Sequence, residues 1–289
     1  MSAPLDPDLR AALAGFPAGQ AALAAGLSTT PLVGGATNRA WRVTSPAGDW
    51  VVRLAGPVDR HFAINRIAER QVHAAAASAG FAPAIVHAAT AQGLLVMDYV
   101  VGRPLASADL HTSDTIEALG ARLSELHGLP LPRGVRRLDV HEVLAHYMEL
   151  PGIAEGPVSR RDLSARLRWS LANYRQQATA FCHNDLHYRN IIAAQRLQFV
   201  DWEYGGVGDP LFELAAVIRY HDLDAGERAQ LLAAHGGSFK PTYVDSMCLV
   251  FDCLHALWLD TSSAWDSLEE APREALLERL RIDPADRER

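Results

Sequence analysis

The chain has 289 residues, 49% hydrophobic and 21% charged, with a formal net charge of −7. This is the profile of an ordinary globular protein, and the net charge argues against a nucleic-acid surface, which requires a basic face. No apolar run approaches the ~20 residues of a membrane span, and Pro4, Asp6 and Asp8 replace the basic and apolar leader of a secreted chain. Cys182, Cys248 and Cys253 show no metal-ligand spacing and no even count, so they predict reduced, buried thiols in a cytoplasmic protein.

Residues 6–25 are alanine-rich and predict short helices interrupted at Gly15-Phe16-Pro17. From Thr30 the pattern turns β-like: Pro31-Leu32-Val33, Ala40-Trp41-Arg42-Val43 and Trp50-Val51-Val52-Arg53-Leu54, with turns at Gly34-Gly35 and Ser45–Asp49. A helix from about Phe62 to Ala79 ends at Gly80, and strands follow at Ala84–His87 and Leu94–Asp98. The run Tyr99–Pro104 reads as a linker. Beyond it the pattern is mostly helical, with spans at 113–126, 139–150, 159–174, 210–220, 225–235, 242–259 and 268–280. Short strands at Ala180–Cys182 and Leu197–Val200 interrupt it. The fold expected is α+β: a small antiparallel-sheet lobe with one main helix over residues 1–98, then a larger, mainly helical lobe over 99–289.

Two motifs carry the chemistry. His183-Asn184-Asp185-Leu186-His187-Tyr188-Arg189-Asn190 places a carboxylate and an amide in one loop, and Asp201-Trp202-Glu203-Tyr204 adds an acidic cluster after a short apolar strand. Phosphoryl transfer from a nucleotide needs such a set: one carboxylate to receive a hydroxyl proton, and hard oxygen donors for magnesium on the phosphates. The expected roles are Asp185 as base and Asn190 and Asp201 as magnesium ligands. The expected cofactors are ATP and Mg²⁺. His183 is expected to shape the loop through backbone hydrogen bonds. Gly35, Thr37 and Asn38 lie between two strands, where backbone amides suit phosphates.

His183-x-Asp185-Leu186-x-x-x-Asn190 and Asp201-Trp202-Glu203-Tyr204 resemble the catalytic and metal motifs of the aminoglycoside phosphotransferase and choline kinase superfamily. The run from Phe181 to Val217 is most similar to its bacterial thiamine kinase and choline kinase branches. The resemblance implies a two-lobed protein-kinase-like fold. It also implies that Glu203 holds a second ion or faces the positive end of the substrate, that Arg53 pairs the nucleotide phosphates while Glu69 on the following helix holds it, and that Met97, Asp98, Tyr99 and Val100 form the adenine-facing hinge. Choline kinases cage a quaternary ammonium between two tryptophans. This chain keeps Trp258 and has His255 at the other place, with Tyr220 near the position of a cation-binding glutamate. Glu142, on a helix face with Asp139, His146 and Glu149, and Tyr204 complete the expected acceptor side.

The expectation is therefore an ATP-dependent small-molecule kinase that phosphorylates an alcohol on a soluble acceptor. Thiamine comes first, a choline-like amino alcohol second, an aminoglycoside or amino sugar third, and neither nucleic acid nor membrane is an expected partner. A protein kinase is excluded by Asp201-Trp202-Glu203 in place of Asp-Phe-Gly and by the short stretch from Asp201 to Pro210. A catalytically silent nucleotide-binding module is the alternative, although Asp185, Asn190 and Asp201 are all present.

Overall fold

The computed structural model describes residues 5–32, 38–56, 64–150, 157–172, 179–262 and 264–280. Helices α1 (Pro7–Ala14) and α2 (Pro17–Ala25) each begin with proline at the first helical turn, where its missing N–H costs nothing. The Asp6 carboxylate caps α1 by accepting from the Asp8 and Leu9 amides. Strands β1 (Ser28–Leu32), β2 (Asn38–Ser45) and β3 (Gly48–Ala55) follow, then α3 (Arg66–Ser78), β4 (Ile85–Ala89), β5 (Leu94–Asp98) and β6 (Arg103–Pro104). The Asn65 side chain caps α3 by accepting from the Ile67 and Ala68 amides. The expected first turn of that helix, Phe62 and Ala63, lies outside the described residues.

Next come α4 (Ser113–His127), α5 (Val140–Glu149), α6 (Arg160–Ala172), β7 (Ala180–Cys182), β8 (Ile191–Ala193), β9 (Gln198–Phe199) and β10 (Gly206–Gly208). The chain closes with α7 (Pro210–Tyr220), α8 (Ala225–His235), α9 (Pro241–Ser262) and α10 (Glu270–Leu280). The fold is the α+β class expected. The sequence pattern missed β6, β8 and β10, which at two or three residues are too short to show a period.

These elements form two compact units. Among the described residues, the first takes in those up to 56, 64–104 and 191–203, and the second takes in those of 105–190 and 204–280. In the first, five antiparallel strands run in the order β1-β2-β3-β5-β4, with Trp41 opposite Val52 and Val52 opposite Val96. Alternation sends Trp41, Val43, Trp50, Val52 and Val96 to one face, where they pack with Leu9, Leu13 and Phe16 of the N-terminal helices. Burying each such side chain contributes about 1.5–3 kcal/mol. Gly48 makes the β2–β3 turn possible, because a Cβ there would lie 2.4 Å from the Trp50 ring. The three-stranded sheet β6-β8-β9 belongs to the same unit, and the Phe199 amide donates to the Phe81 carbonyl.

The second unit is mainly helical. Helix α4 packs against α8 at Gly120, where a Cβ would meet the Ala234 Cβ at 2.7 Å. The buried side chains Leu119, Leu123, Leu126, Leu163, Leu167, Phe181 and Leu214 make its core. Strands β7 and β10 pair antiparallel, Cys182 opposite Gly206. Asp209 caps α7 by accepting from the Leu211 amide, with Pro210 at the first helical position, as the sequence predicts. Asp252, buried on α9, pairs with Arg219 and with Arg279 of α10, each at 3.1 Å. All three cysteines are buried and unpaired, and burial pushes Cys248 up to about 11 and Cys253 up to about 12. Among the described residues no helix is long and apolar enough to cross a membrane.

Candidate active site

In the first unit, an alternating chain of charges runs Asp201, Arg53, Glu69, Arg66, Glu203. Arg53 on β3 donates to Asp201 at 2.6 Å and pairs with Glu69 of α3. Arg66, at the start of α3, pairs with Glu69 at 2.8 Å and Glu203 at 2.9 Å, and donates to the Asn38 side-chain oxygen at 2.9 Å. Asn38 in turn donates to Glu203 at 3.1 Å. Charges this deeply buried persist only because each has a partner. Burial alone raises the Glu69 carboxyl, but Arg53 and Arg66 outweigh it and hold it below the usual range. At Glu203 burial wins: together with the charge of Asp201 it pushes the carboxyl up to about 7, against Arg53 and Arg66. Glu69 and Glu203 expose 2% and 4% of their side chains, whereas Asp201 exposes 26%.

Asp201 adopts φ 65°, a left-handed conformation that aspartate tolerates better than most residues. The Trp202 indole fixes this turn by donating to the Phe199 carbonyl at 2.9 Å. Oxygens of Glu69, Asp201 and Glu203 lie within 4.8 Å of one another, a spacing that suits a hard cation.

At the expected hinge, Met97 is buried, and the Asp98 and Tyr99 amides donate to the carbonyls of Ala84 and Asp49. The Arg42 guanidinium stacks 3.7 Å from the Tyr99 ring centroid. A nucleobase would therefore find those two amides engaged, and among the described residues Val100 offers an amide with no backbone acceptor. Gly35 and Thr37 lie outside the described residues.

In the second unit, the loop after β7 carries Asp185 and Asn190. Both oxygens of the Asp185 carboxylate are held. Oδ1 accepts from the Tyr220 hydroxyl at 2.7 Å, and Oδ2 accepts from Asn190 Nδ2 at 3.3 Å. The same Asn190 nitrogen donates to the Asp185 carbonyl at 2.8 Å, so the amide oxygen is the atom left to act as a ligand. His183 accepts from the Asp185 amide at Nδ1, 3.3 Å, the backbone role expected of it.

A residue the motif analysis did not assign anchors this loop. Glu213, fully buried in α7, accepts the His183 and Asn184 amides on one oxygen at 2.6 and 2.8 Å. Its other oxygen accepts from His127 Nε2 at 2.6 Å. The pattern fixes the tautomers: the Gly237 amide donates to His235 Nδ1, so neutral His235 donates from Nε2 to His127 Nδ1, 2.9 Å away. Asn184 itself sits at φ 67°, and its side chain donates to the Tyr204 carbonyl at 3.1 Å. A glutamate in the first turn after Asp209-Pro210 was visible in sequence. Nothing marked His127 or His235 as its neighbours, since they come from other helices.

Of the expected acceptor residues, Tyr220, His255 and Trp258 come together. The Tyr220 ring lies 5.5 Å from His255, which lies 6.4 Å from Trp258. His187 joins them 5.6 Å from Tyr220. Burial lowers His187 to about 3 and His255 to about 4, so both rings are neutral at physiological pH. Glu142 is exposed on α5 and makes no hydrogen bond or ion pair with this group among the described residues.

The sequence profile described as the phosphotransferase enzyme family matches residues 28–246, and the chain belongs to that family. Its fold is that of the protein-kinase-like choline kinases. A choline/ethanolamine kinase family protein from Mesorhizobium loti superimposes with a TM-score of 0.72 at 26% identity, covering 96% of this chain and 95% of that one. The choline kinase LicA of Streptococcus pneumoniae gives a TM-score of 0.73 at 18% identity over 90% and 96%, a likeness of fold alone. Among curated proteins, a LicA homolog of Metamycoplasma hominis is 34% identical over 79 residues, 27% of this chain. The match spans only 32% of that relative's length.

Proposed function

We propose that the protein transfers the γ-phosphate of ATP to an alcohol hydroxyl of a small soluble acceptor. The observation that carries this reading is the Asp185 carboxylate, fixed by Tyr220 and Asn190 in a chain of the phosphotransferase family. A carboxylate with both oxygens oriented in advance receives or directs a hydroxyl proton without having to reorganise. Arg53, held by Glu69, supplies a positive charge to the phosphates, with Asn38, bonded to Arg66 and Glu203, as a further polar group on that side. Asn190 and Asp201 are the residues to hold Mg²⁺, and Glu203 the one to serve a second ion. The donor chemistry fits, being an amide oxygen and carboxylates, of which Asp201 is the accessible one. When bound, magnesium neutralises charge on the phosphates. The acceptor is drawn from amino alcohols, thiamine or amino sugars, and Tyr204, Tyr220, His255 and Trp258 are its proposed contacts.

The test is Mg-ATP-dependent ADP release across thiamine, choline, ethanolamine, aminoglycosides and amino sugars. At least one acceptor should stimulate release, and the Asp185→Ala protein should be silent. Stimulation that persists in that variant would remove Asp185 from the chemistry. Asp201→Ala should weaken Mg-ATP binding about tenfold or more in a calorimetric titration, through loss of a charged metal ligand. Tyr220→Phe deletes one hydrogen bond to a charged group, so kcat should drop roughly tenfold. The KM for ATP should stay within about twofold, because the ring keeps its packing.

A further inference from the structure

Arg66 is the first residue of α3, its side chain is 9% exposed, and no motif in the sequence gave it a role. Its Nη1 donates to Glu203 Oε2 at 2.9 Å and pairs with Glu69 at 2.8 Å, while its Nη2 donates to Asn38 Oδ1 at 2.9 Å. Asn38 Nδ2 closes a ring by donating to the same Glu203 oxygen at 3.1 Å. The Arg53 guanidinium stands 3.9 Å from that oxygen. A planar guanidinium can serve two carboxylates and an amide at once, which an ammonium on a flexible stem does less well.

Glu69, Asp201 and Glu203 hold oxygens within 4.8 Å of one another, so their negative charges need cations close by. The two arginines leave these carboxylates unequally accessible. Asp201 pairs with Arg53 but is 26% exposed, so an ion arriving from solvent reaches it. Glu203 is 4% exposed and its Oε2 already accepts from Arg66 and Asn38. A divalent ion bound to that oxygen would stand against a fixed positive charge, and the repulsion is strong where water is excluded. Any second ion at Glu203 therefore competes with Arg66.

We propose that Arg66 is an internal cation in the place of a second metal ion at Glu203, so that the chain holds one ion tightly, at Asp201, and a second only weakly. The inference rests on the reading of Asp201 and Glu203 as metal-binding carboxylates and adds the residue that sets how many ions they take. Removing the Arg66 charge should strengthen the second ion roughly tenfold or more.

The experiment counts bound Mn²⁺ by electron paramagnetic resonance, in which the free ion gives the sharp signal, as the full chain is titrated with one equivalent of ADP present and ADP alone as the blank. In the wild type the second ion should bind roughly tenfold or more weakly than the first. In Arg66→Gln protein the second Kd should tighten roughly tenfold, whereas in Arg66→Lys protein, which keeps the charge, it should stay within about threefold of wild type. The Arg66→Gln/Glu203→Gln protein should lose the tight second ion, and thermal melting checks that each variant is folded. Two ions of comparable affinity in the wild type would overturn the proposal even if no variant folds. A second Kd unchanged in Arg66→Gln, a second ion still tight in the double variant, or no ion bound by either protein would also overturn it. Acceptor-stimulated ADP release from Mg-ATP, measured separately on the wild type, distinguishes the two readings. The expected ion pattern without any such release removes the phosphotransfer reading and leaves the role of Arg66 intact.

Discussion

Asp185→Ala protein should lose about 10²- to 10⁴-fold in kcat, while its Kd for Mg-ATP stays within roughly twofold. The asymmetry follows from what the side chain touches. Its oxygens accept from Tyr220 and Asn190, and neither of those bonds belongs to the charge network around Arg53. Removing the carboxylate therefore deletes the group proposed to take the hydroxyl proton and leaves the phosphate-side cations in place. Rapid-quench turnover and equilibrium nucleotide titration on one preparation check both halves. A parallel fall in nucleotide affinity would show that Asp185 holds the metal rather than the acceptor.

Glu213→Ala should be among the most destabilising single changes, by about 3–5 kcal/mol at neutral pH. The carboxylate is fully buried, and its loss strands the His183 and Asn184 amides and the His127 ring at once. Glu213→Gln should cost less, because its amide oxygen still accepts the two backbone amides. The pH dependence has a definite sign. Burial alone raises the Glu213 carboxyl, but the His127 hydrogen bond, the electrostatic influence of the His127 and His183 rings and the Asn184 amide bring it below its ordinary 4.5. A carboxyl depressed in the folded state stabilises fully above its unfolded value and loses that contribution as pH falls through the folded one. The stability gap between wild type and Glu213→Ala in urea melts should therefore be widest at neutral pH and narrow below about 4.5. A gap that widens on acidification would contradict this account.

Much of the fold was legible in the chain. The boundaries of β5, α7 and α8 coincide with the expected Leu94–Asp98, 210–220 and 225–235 spans, because each has local stop signals. Asp209-Pro210 starts α7, while Asp224 caps α8 and left-handed Gly236 ends it. Strands β8 and β10 were not legible, since three residues are held by pairing with distant segments rather than by their own pattern. The site divided in the same way. Asp185 and Asn190 share a loop and announce themselves by spacing, as do Asp201 and Glu203. Arg66, His127 and His235 did not, because what matters is the partner each one meets: Glu69 and Glu203 for Arg66, Glu213 for His127 and the His127 ring for His235.

The sequence by itself determined the residue types that phosphoryl transfer requires, their order along the chain and the succession of strands and helices, because spacing within one loop and periodicity within one element are local properties. Only the tertiary structure decided that residues 191–203 pack with the first sheet rather than with the loop that precedes them. It also decided that Arg66 joins the Arg53–Glu69 pair, and that Tyr220 comes to Asp185 between two histidines. Those contacts join segments up to 165 residues apart, and burial, which makes each unpaired charge or amide costly, selects the partners of each.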